Sequence, residues 1–421
     1  MLVVPAQLNA QTTAYVSSNG TRDITTVNTE DLSRGSLTAA GSQKGLAISA
    51  DGKRLYVAVG GFLQVIDVPA DTSIALLQIG SSVQSVALSP DGNLAYTANG
   101  GLQSVSVIDT ELLTLVADIP LTGRDPRDIV VTPDGAFVYV SQSSSVFVTA
   151  IETASNSVVA DINVGAGPDG LAVSPDGQFV FAAMSVAHSV AKIEVAEHKV
   201  VGNIGSFGGE PTVVAVTPDG EKLYVATAEE NAVSAFHIGP DTLLSQVDAG
   251  AANHRGMAIT PDGTHLYVTN LNAASVSVIA IGSTTNSASK TADSLIAMVS
   301  TTTPPWDVAI GARASGGDPT ASETAEIPTS SFEFMGNAPN PFSRATTIAY
   351  ALDGRADVAI DVLDVQGRGV RSFRTGTIGP GRYSLNWDGT DETGSPVAAG
   401  LYLVRMRVGT LSNSMLVTKV R

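Results

Sequence analysis

The sequence repeats one short pattern at a nearly constant interval. An Asp-Gly pair follows a short apolar stretch six times, and successive aspartates are 40, 43, 42, 43 and 43 residues apart. Stretches such as "SVALS" precede the pairs, and an aromatic residue follows each of them. The aspartates are Asp51, Asp91, Asp134, Asp176, Asp219 and Asp262. A regular interval of this length indicates an array of equivalent structural units.

Each unit has the pattern of four short β-strands. An Asp-Gly pair between apolar stretches is typical of a tight turn, because Gly adopts a positive φ easily and Asp accepts a hydrogen bond from nearby backbone. A run such as "SVSVID" and a fourth stretch such as "TLVADIPL" follow the aromatic strand. Four strands in about 42 residues are typical of a propeller blade. Six evenly spaced aspartates would lie around one rim of a ring, so we interpret them as turn residues.

The two ends of the array complement each other. Tyr15 lies 41 residues before Tyr56, in a stretch with no inner strand ahead of it. Residues 304–311, "PPWDVAIG", form an inner strand with no Asp-Gly pair behind it. Joining the two completes a seventh blade and removes both exposed strand edges. We therefore predict an all-β, seven-bladed propeller over residues 14–311, in which residues 305–311 are the innermost strand of the closing blade.

The repeat resembles the YVTN family of β-propeller repeats. "YVTN" occurs at Tyr267–Asn270, and "SPDG" or "TPDG" precedes most of the aromatic strands. The resemblance covers residues 14–311. Departures such as "YTAN" and "FAAM" at equivalent positions argue against identical sites in every blade. Related propellers include lactonases and lyases, so the resemblance also implies an enzymatic alternative.

Composition and periodicity change after the propeller. Residues 312–331 are small, polar and acidic, which indicates a flexible linker. Residues 332–421 contain six or seven predicted strands with Gly-rich turns, which indicates a small Ig-like β-sandwich. At the other end, residues 1–13 resemble the tail of a signal peptide, with Ala10 at a plausible cleavage point.

The C-terminal domain carries landmarks of its own. "APNPFSRATTIAYAL", "NWDGTDETGSPVAAGLYLVRM" and the final "TKVR" resemble the C-terminal sorting domain of type IX secretion substrates. The Ig-like domain of flagellar hook-capping proteins shares much of this pattern. The sorting resemblance implies that the type IX secretion translocon is the partner of residues 332–421. It also implies export through the periplasm to the outer cell surface of a Gram-negative bacterium, or secretion from it.

Composition excludes several kinds of function. Residues 1–331 carry a net charge of −19 and residues 332–421 carry +2, and an acidic body argues against a nucleic acid partner. The absence of cysteine excludes disulfides, thiolate metal sites and a cysteine nucleophile. The five histidines lack ligand spacing, and no phosphate-binding loop is present, so we predict no metal and no cofactor. No apolar stretch approaches the roughly 18 residues of a transmembrane helix.

The candidate site follows from position within the repeat. The residue that begins each inner strand should open onto the central channel at one face of the ring. These residues are Lys44, Gln84, Arg127, Asp169, Thr212, Arg255 and Trp306, with Asp125, Asp128, Glu210, His254 and Asp307 beside them. Three cations and a Trp in an acidic body predict binding of an anionic or sugar-like ligand. A merely polar lining of the opening is the alternative.

The sequence favours a non-catalytic, secreted or cell-surface propeller that serves as a scaffold or adhesion protein and binds a protein or glycan partner. A fold alone does not establish a function, so two alternatives stay open. One is a lactonase-like hydrolase or lyase, in which Asp169, Glu210 and His254 supply acid–base chemistry. The other is a glycan-binding module that uses Trp306 as a stacking platform. The favoured interpretation assigns no catalytic residue.

Overall fold

The chain is built almost entirely from β-strands. The computed structural model describes residues 12–250, 253–282, 292–312, 332–352, 356–364, 368–378, 381–408 and 411–420. Two compact units divide the chain, Met1–Gly316 and Gly317–Arg421. Among the described residues the only helical element is a 3₁₀ turn, Leu271–Ala273. No helix in this part of the chain is long and apolar enough to cross a bilayer.

The described residues of the first unit form twenty-eight strands in seven four-stranded antiparallel sheets. In chain order the strands are β1 (Thr12–Ser18), β2 (Asp23–Asn28), β3 (Arg34–Thr38), β4 (Gln43–Ile48), β5 (Arg54–Val59), β6 (Phe62–Asp67), β7 (Thr72–Gln78), β8 (Val83–Leu88), β9 (Leu94–Asn99), β10 (Ser104–Asp109), β11 (Thr114–Pro120), β12 (Pro126–Val131), β13 (Phe137–Gln142), β14 (Phe147–Glu152), β15 (Ser157–Asn163), β16 (Pro168–Val173), β17 (Phe179–Met184), β18 (Ser189–Glu194), β19 (Lys199–Ile204), β20 (Pro211–Val216), β21 (Lys222–Thr227), β22 (Ala232–His237), β23 (Thr242–Asp248), β24 (His254–Ile259), β25 (His265–Asn270), β26 (Ser275–Ala280), β27 (Ser294–Ser300) and β28 (Pro305–Ala312).

Six blades follow the chain directly. Blade 1 is β4–β7, and each later group of four strands forms the next blade, up to blade 6, which is β24–β27. In each blade the first strand is innermost and contacts the first strands of both neighbouring blades. The contacts run from β4 through β8, β12, β16, β20, β24 and β28 and return to β4. The predicted seven-bladed ring is therefore confirmed.

Blade 7 joins the two ends of the propeller. Its strand order is β28-β1-β2-β3, so the N-terminal strands supply its three outer positions. In the register of β1 with β28, Tyr15 pairs with Ala309. Thr12 and Thr13, which the sequence grouped with a signal-peptide remnant, belong to β1, and Ala312, which it grouped with the linker, belongs to β28. Residues 1–11 and 313–331, the remainder of those two predicted segments, lie outside the described residues.

The Asp-Gly pairs are turns, as expected. In the turn between β8 and β9, Oδ1 of Asp91 accepts a hydrogen bond from Ser89 Oγ at 2.6 Å and one from the Asn93 backbone N–H at 3.1 Å. Gly92 has a φ of +73° and adopts the left-handed conformation that Gly tolerates. These hydrogen bonds hold the Asp91 carboxylate within its own hairpin, so Asp91 is a turn residue that connects two strands.

The aromatic residue of each second strand packs in the core. Each of these seven side chains is at most 2% exposed, and they lie in apolar clusters that also contain Val, Ile and Ala from neighbouring strands. The residues are Tyr15, Tyr56, Tyr96, Tyr139, Phe181, Tyr224 and Tyr267. Burial of large apolar surface of this kind is the main stabilising contribution between blades.

The second unit is a small β-sandwich. Its strands are β29 (Phe332–Ala338), β30 (Thr346–Leu352), β31 (Ala356–Leu363), β32 (Gly369–Ile378), β33 (Gly381–Trp387), β34 (Gly400–Val408) and β35 (Leu411–Lys419). One sheet has the order β29-β30-β33 and the other the order β32-β31-β34-β35. Trp387 is fully buried in a core with Phe342 and Tyr402. The predicted Ig-like fold is confirmed.

Ring closure by the N-terminus can be tested with matched Tyr→Ala variants. Tyr15→Ala in blade 7 should lower the free energy of unfolding of the propeller by about 3–5 kcal/mol, because it leaves a cavity in a closed core. Tyr139→Ala in blade 3 should cost a similar amount. Urea unfolding of the full chain measures both. A Tyr15→Ala variant as stable as the exposed-site control Thr38→Ala would contradict closure by β1.

Candidate functional site

Most of the residues predicted to begin the inner strands meet at one mouth of the central channel, and we call this set the mouth ring; each is the second residue of its strand. They line a cavity of about 200 Å³ and comprise Gln84, Arg127, Asp169, Thr212, Arg255 and Trp306. Lys44, the equivalent residue of blade 1, adjoins them because its Nζ donates a hydrogen bond of 2.6 Å to Gln84 Oε1. The phase of the repeat thus brings together side chains that are far apart in sequence.

Trp306 lies at the centre of the positive charge of the mouth ring. Lys44 Nζ is 5.9 Å from the centroid of its ring, and the guanidinium carbons of Arg127 and Arg255 are 5.7 and 5.6 Å away. Cations at such distances from an indole are attracted to its negative face. Trp306 therefore helps to hold three like charges close together.

Asp169 links the two arginines. Nε of Arg127 lies 3.1 Å from Asp169 Oδ1, and Nη1 of Arg255 lies 3.9 Å from Oδ2. Burial raises the pKa of Asp169, and the two guanidinium groups oppose that rise. No described residue accepts a hydrogen bond from Nη1 or Nη2 of Arg127. These N–H groups can therefore contact the oxygens of an anion in the cavity.

The residues that follow the mouth ring along the seven inner strands form a second ring beneath the mouth, and two of them are carboxylates. Asp128 and Asp307 stand one residue after Arg127 and Trp306 and also line the cavity. The sequence grouped them with the mouth, whereas the structure places them against neighbouring inner strands. Oδ2 of Asp307 accepts a hydrogen bond of 3.1 Å from the N–H of Leu46 in blade 1.

Asp128 makes the equivalent contact between blades 3 and 4. Its Oδ2 accepts a hydrogen bond of 2.8 Å from the N–H of Leu171 in blade 4, and its Oδ1 accepts one of 2.8 Å from Ser85 Oγ in blade 2. In both cases the blade that receives the carboxylate has Gly at the equivalent position, Gly45 or Gly170. A Cβ at Gly45 would lie 2.6 Å from Cα of Ser85, and one at Gly170 would lie 2.6 Å from the Thr212 carbonyl oxygen, so these glycines allow the following inner strand to approach closely. The two aspartates thus fasten adjacent inner strands together.

Burial changes the protonation of this second ring. Desolvation raises the pKa of Asp128 above its usual range. Desolvation, together with the charge of Asp128, raises the pKa of Asp307 to about 7. The backbone N–H groups of Leu46 and Val308 oppose the shift only in part. Asp307 therefore changes charge near neutral pH.

Glu210 and His254 do not line the cavity. His254 is the first residue of β24, is fully buried, and has its pKa lowered by desolvation. Glu210 precedes β20. Desolvation lowers the pKa of Arg255, and the negative charges of Asp169 and Glu210 oppose that fall. Of the three acid–base residues in the enzymatic alternative, the structure brings only Asp169 into the cavity.

Sequence reasoning missed the second ring as a separate layer. Its signal was present, because the residue that follows the mouth ring is Gly or Asp in five of the seven blades. The positions are Gly45, Ser85, Asp128, Gly170, Val213, Gly256 and Asp307. Among the described residues, no group of three or more His, Asp or Glu side chains is arranged to hold a metal ion.

Two family models match parts of the chain. One, described as "Lactonase, 7-bladed beta-propeller", matches residues 73–160 and 211–302. The other, described as "FlgD Ig-like domain", matches residues 341–411. The N-terminal unit is thus similar to lactonase-type seven-bladed propellers, and the C-terminal unit to the Ig-like domain of FlgD. No curated protein gives a significant match.

Solved structures show the same propeller fold. A protein of Bacteroides fragilis, described as a proposed 6-phosphogluconolactonase, is 17% identical over 73% of this chain and 99% of its own, with a TM-score of 0.58. The periplasmic gluconolactonase of Pseudomonas aeruginosa is 18% identical over 72% and 99%, with a TM-score of 0.57. The hydrazine synthase of Kuenenia stuttgartiensis is 23% identical over 63% and 88%, with a TM-score of 0.55.

Removal of the titrating charge should change how the stability of the propeller depends on pH. The pKa of Asp307 is raised from 3.8 to about 7, so the folded state holds this proton more tightly and loses stability as pH rises through that window. Asp307→Asn should remove this contribution. The melting temperature of the variant relative to that of the wild type should therefore be roughly 2–5 °C higher at pH 8 than at pH 5. Thermal unfolding at both pH values measures the difference. An unchanged pH dependence in the variant would contradict the assignment.

Proposed function

We propose that the propeller hydrolyses small anionic lactones bound at the mouth ring. The observation that carries the proposal is the pair of guanidinium groups of Arg127 and Arg255, which share Asp169 and lie against Trp306. The lactonase family match and the two lactonase-type structures support the same reaction class. The comparisons give no support to the non-catalytic scaffold that the sequence favoured.

Binding follows from the charges of the mouth. Residues 1–331 carry only 13 Lys and Arg side chains against 32 Asp and Glu, yet three of those cations surround Trp306. An anionic group on the substrate contacts the terminal nitrogens of Arg127 and the cations beside it. Trp306 offers a flat apolar surface to the carbon skeleton. In a partly buried cavity such contacts are stronger than on open surface.

The chemistry needs a base and a group that stabilises an oxyanion. A water oxygen adds to the lactone carbonyl carbon, and Asp169 takes the proton of that water. The guanidinium groups stabilise the negative charge that develops on the carbonyl oxygen. The ring C–O bond then breaks, the leaving oxygen takes up the proton, and a hydroxy acid is released. Burial suits Asp169 to the role, because it raises the pKa of the carboxyl group and so makes the carboxylate a stronger base, although the two arginines oppose the rise.

Kinetics with a matched pair of substrates tests the proposal. We expect hydrolysis of 6-phosphogluconolactone with a kcat/KM at least about tenfold above that for neutral gluconolactone, because only the phosphorylated lactone brings an anionic group to the arginines. Arg127→Ala and Asp169→Asn should each lower kcat/KM by about 100-fold. Product release is followed after subtraction of the spontaneous rate.

The control variant is Arg124→Ala, because Arg124 is exposed in the loop that precedes β12 and lies outside the cavity lining. It should leave the kinetics unchanged. Tight binding of the lactone without turnover would instead support a carbohydrate-binding module that uses Trp306. Turnover that survives both Arg127→Ala and Asp169→Asn would refute this site.

We propose, separately, that residues 332–421 direct export through the type IX secretion translocon. The basis is the resemblance of the landmarks within residues 332–421. Its net charge of +2 beside −19 also makes it a distinct electrostatic unit. The family match supports only the coarser class, an Ig-like domain similar to that of FlgD.

Truncation tests the export proposal. In a Gram-negative host with a type IX system, removal of residues 332–421 should cause the propeller to accumulate in the periplasm, because the signal for the outer-membrane step is lost. Cell fractionation of the full-length and shortened chains measures the distribution. Equal export of both chains would rule out a sorting role for this unit.

A further inference from the structure

Asp307 occupies a position from which its charge acts on the whole mouth ring. Its neighbour in sequence is Trp306, and its carboxylate lines the same cavity as Arg127 and Arg255. Its Oδ2 binds the N–H of Leu46, two residues beyond Lys44. The carboxylate is therefore connected to two of the strands that carry the anion-binding residues, and it is shielded from bulk solvent.

The charged groups of the cavity that Asp307 lines come from four strands. They are Arg127 and Asp128 on β12, Asp169 on β16 and Arg255 on β24, with Lys44 on β4 adjoining them. The charge of Asp128 acts on Asp307 directly. The charges of these residues sum to +1 when both aspartates are ionised, and an ionised Asp307 reduces the sum to zero. One proton on Asp307 therefore changes by one unit the charge that the cavity lining presents to an incoming anion.

We propose that Asp307 is the charge switch of the channel: when its carboxyl group takes up a proton, the mouth ring binds an anion more tightly. The inference rests on the proposed function only in assigning anion binding to the mouth ring, and it does not require hydrolysis. Asp307 is a positioning residue in this account, because it changes the field at the arginines and does not itself touch the anion.

The geometry gives the direction of the effect. The pKa of Asp307, raised to about 7, places the change of charge within the range of ordinary cellular and periplasmic pH. Below that value the carboxyl group is neutral, and the repulsion between it and a bound anion disappears. For an anion bound about 10 Å away in a partly solvated cavity, loss of one unit charge changes affinity roughly fivefold to tenfold.

Sulfate is the probe for the test, because its charge is constant between pH 5.5 and 8.5. Calorimetric titration of the full-length protein should give a dissociation constant about five times lower at pH 6 than at pH 8. Asp307→Asn should bind tightly at both pH values. Glu111→Gln, which removes one exposed negative charge from a turn on the opposite rim, should keep the pH dependence of the wild type.

Fluorescence supplies a readout that needs no ligand. The chain has only two Trp residues, and the component of the emission that Trp306→Phe abolishes belongs to the mouth ring. This component should titrate with a midpoint near pH 7 in the wild type and not in Asp307→Asn. A cooperative thermal transition of Asp307→Asn confirms that the variant is folded before either comparison is made.

Each outcome decides the proposal. Persistence of the pH dependence in Asp307→Asn, absence of sulfate binding at either pH, or a Trp306 signal that does not titrate overturns it. If no lactone is hydrolysed while sulfate binding and Trp306 titrate as expected, the proposed function fails and the charge switch stands. If lactones are hydrolysed without any titration of Trp306, the reverse holds.

Discussion

The packing of seven inner strands around one axis is the constraint on which the rest of this structure depends. Neighbouring inner strands approach so closely that a Cβ added at Gly45 would lie 2.6 Å from Cα of Ser85, and one added at Gly256 would lie 2.6 Å from Cα of Asp307. That approach leaves only a small channel at the axis. It also fixes the second residue of every inner strand at the same mouth, whatever the separation of the blades along the chain.

The channel is layered by charge. Cations surround Trp306 at the mouth, Asp169 connects two of them, and Asp128 and Asp307 lie beneath. The lower carboxylates act first as fasteners between blades, since each accepts a hydrogen bond from the backbone of the next inner strand. Their burial then gives the same groups an electrostatic effect on the mouth, because charges interact more strongly away from bulk water. Structural and functional roles thus meet in the same side chains.

Departures from the repeat also carry contacts between blades. Lys222 is the first residue of β21, and the equivalent residue of blade 3 is Phe137. The Lys222 side chain is buried. Its Nζ lies 2.8 Å from Asp293 Oδ1 and donates a hydrogen bond to the Gly282 carbonyl, both in blade 6. Removing one member of such a buried pair leaves an uncompensated charge, which is strongly destabilising. Positions that vary between repeats are therefore not neutral, and they give individual blade junctions their own chemistry.

The sequence by itself determined the ring. The interval between Asp-Gly pairs established the blades, and the incomplete units at Tyr15 and Trp306 established how the ring closes, because both are properties of repeat phase. The same phase placed Arg127, Asp169 and Arg255 at one mouth. The phase of the repeat could not decide which face of an inner strand each side chain occupies.

Only the tertiary structure separated His254 from Arg255, adjacent residues of which one is buried and the other lines the cavity. It also placed Asp307 among the neighbouring inner strands, where desolvation and the charge of Asp128 raise its pKa. The physical reason is that side chains alternate across a strand, and the pairing of β24 with β25 shifts register between His254 and Met257. A shift of one residue changes which side chain faces the channel, and packing against neighbouring blades decides it.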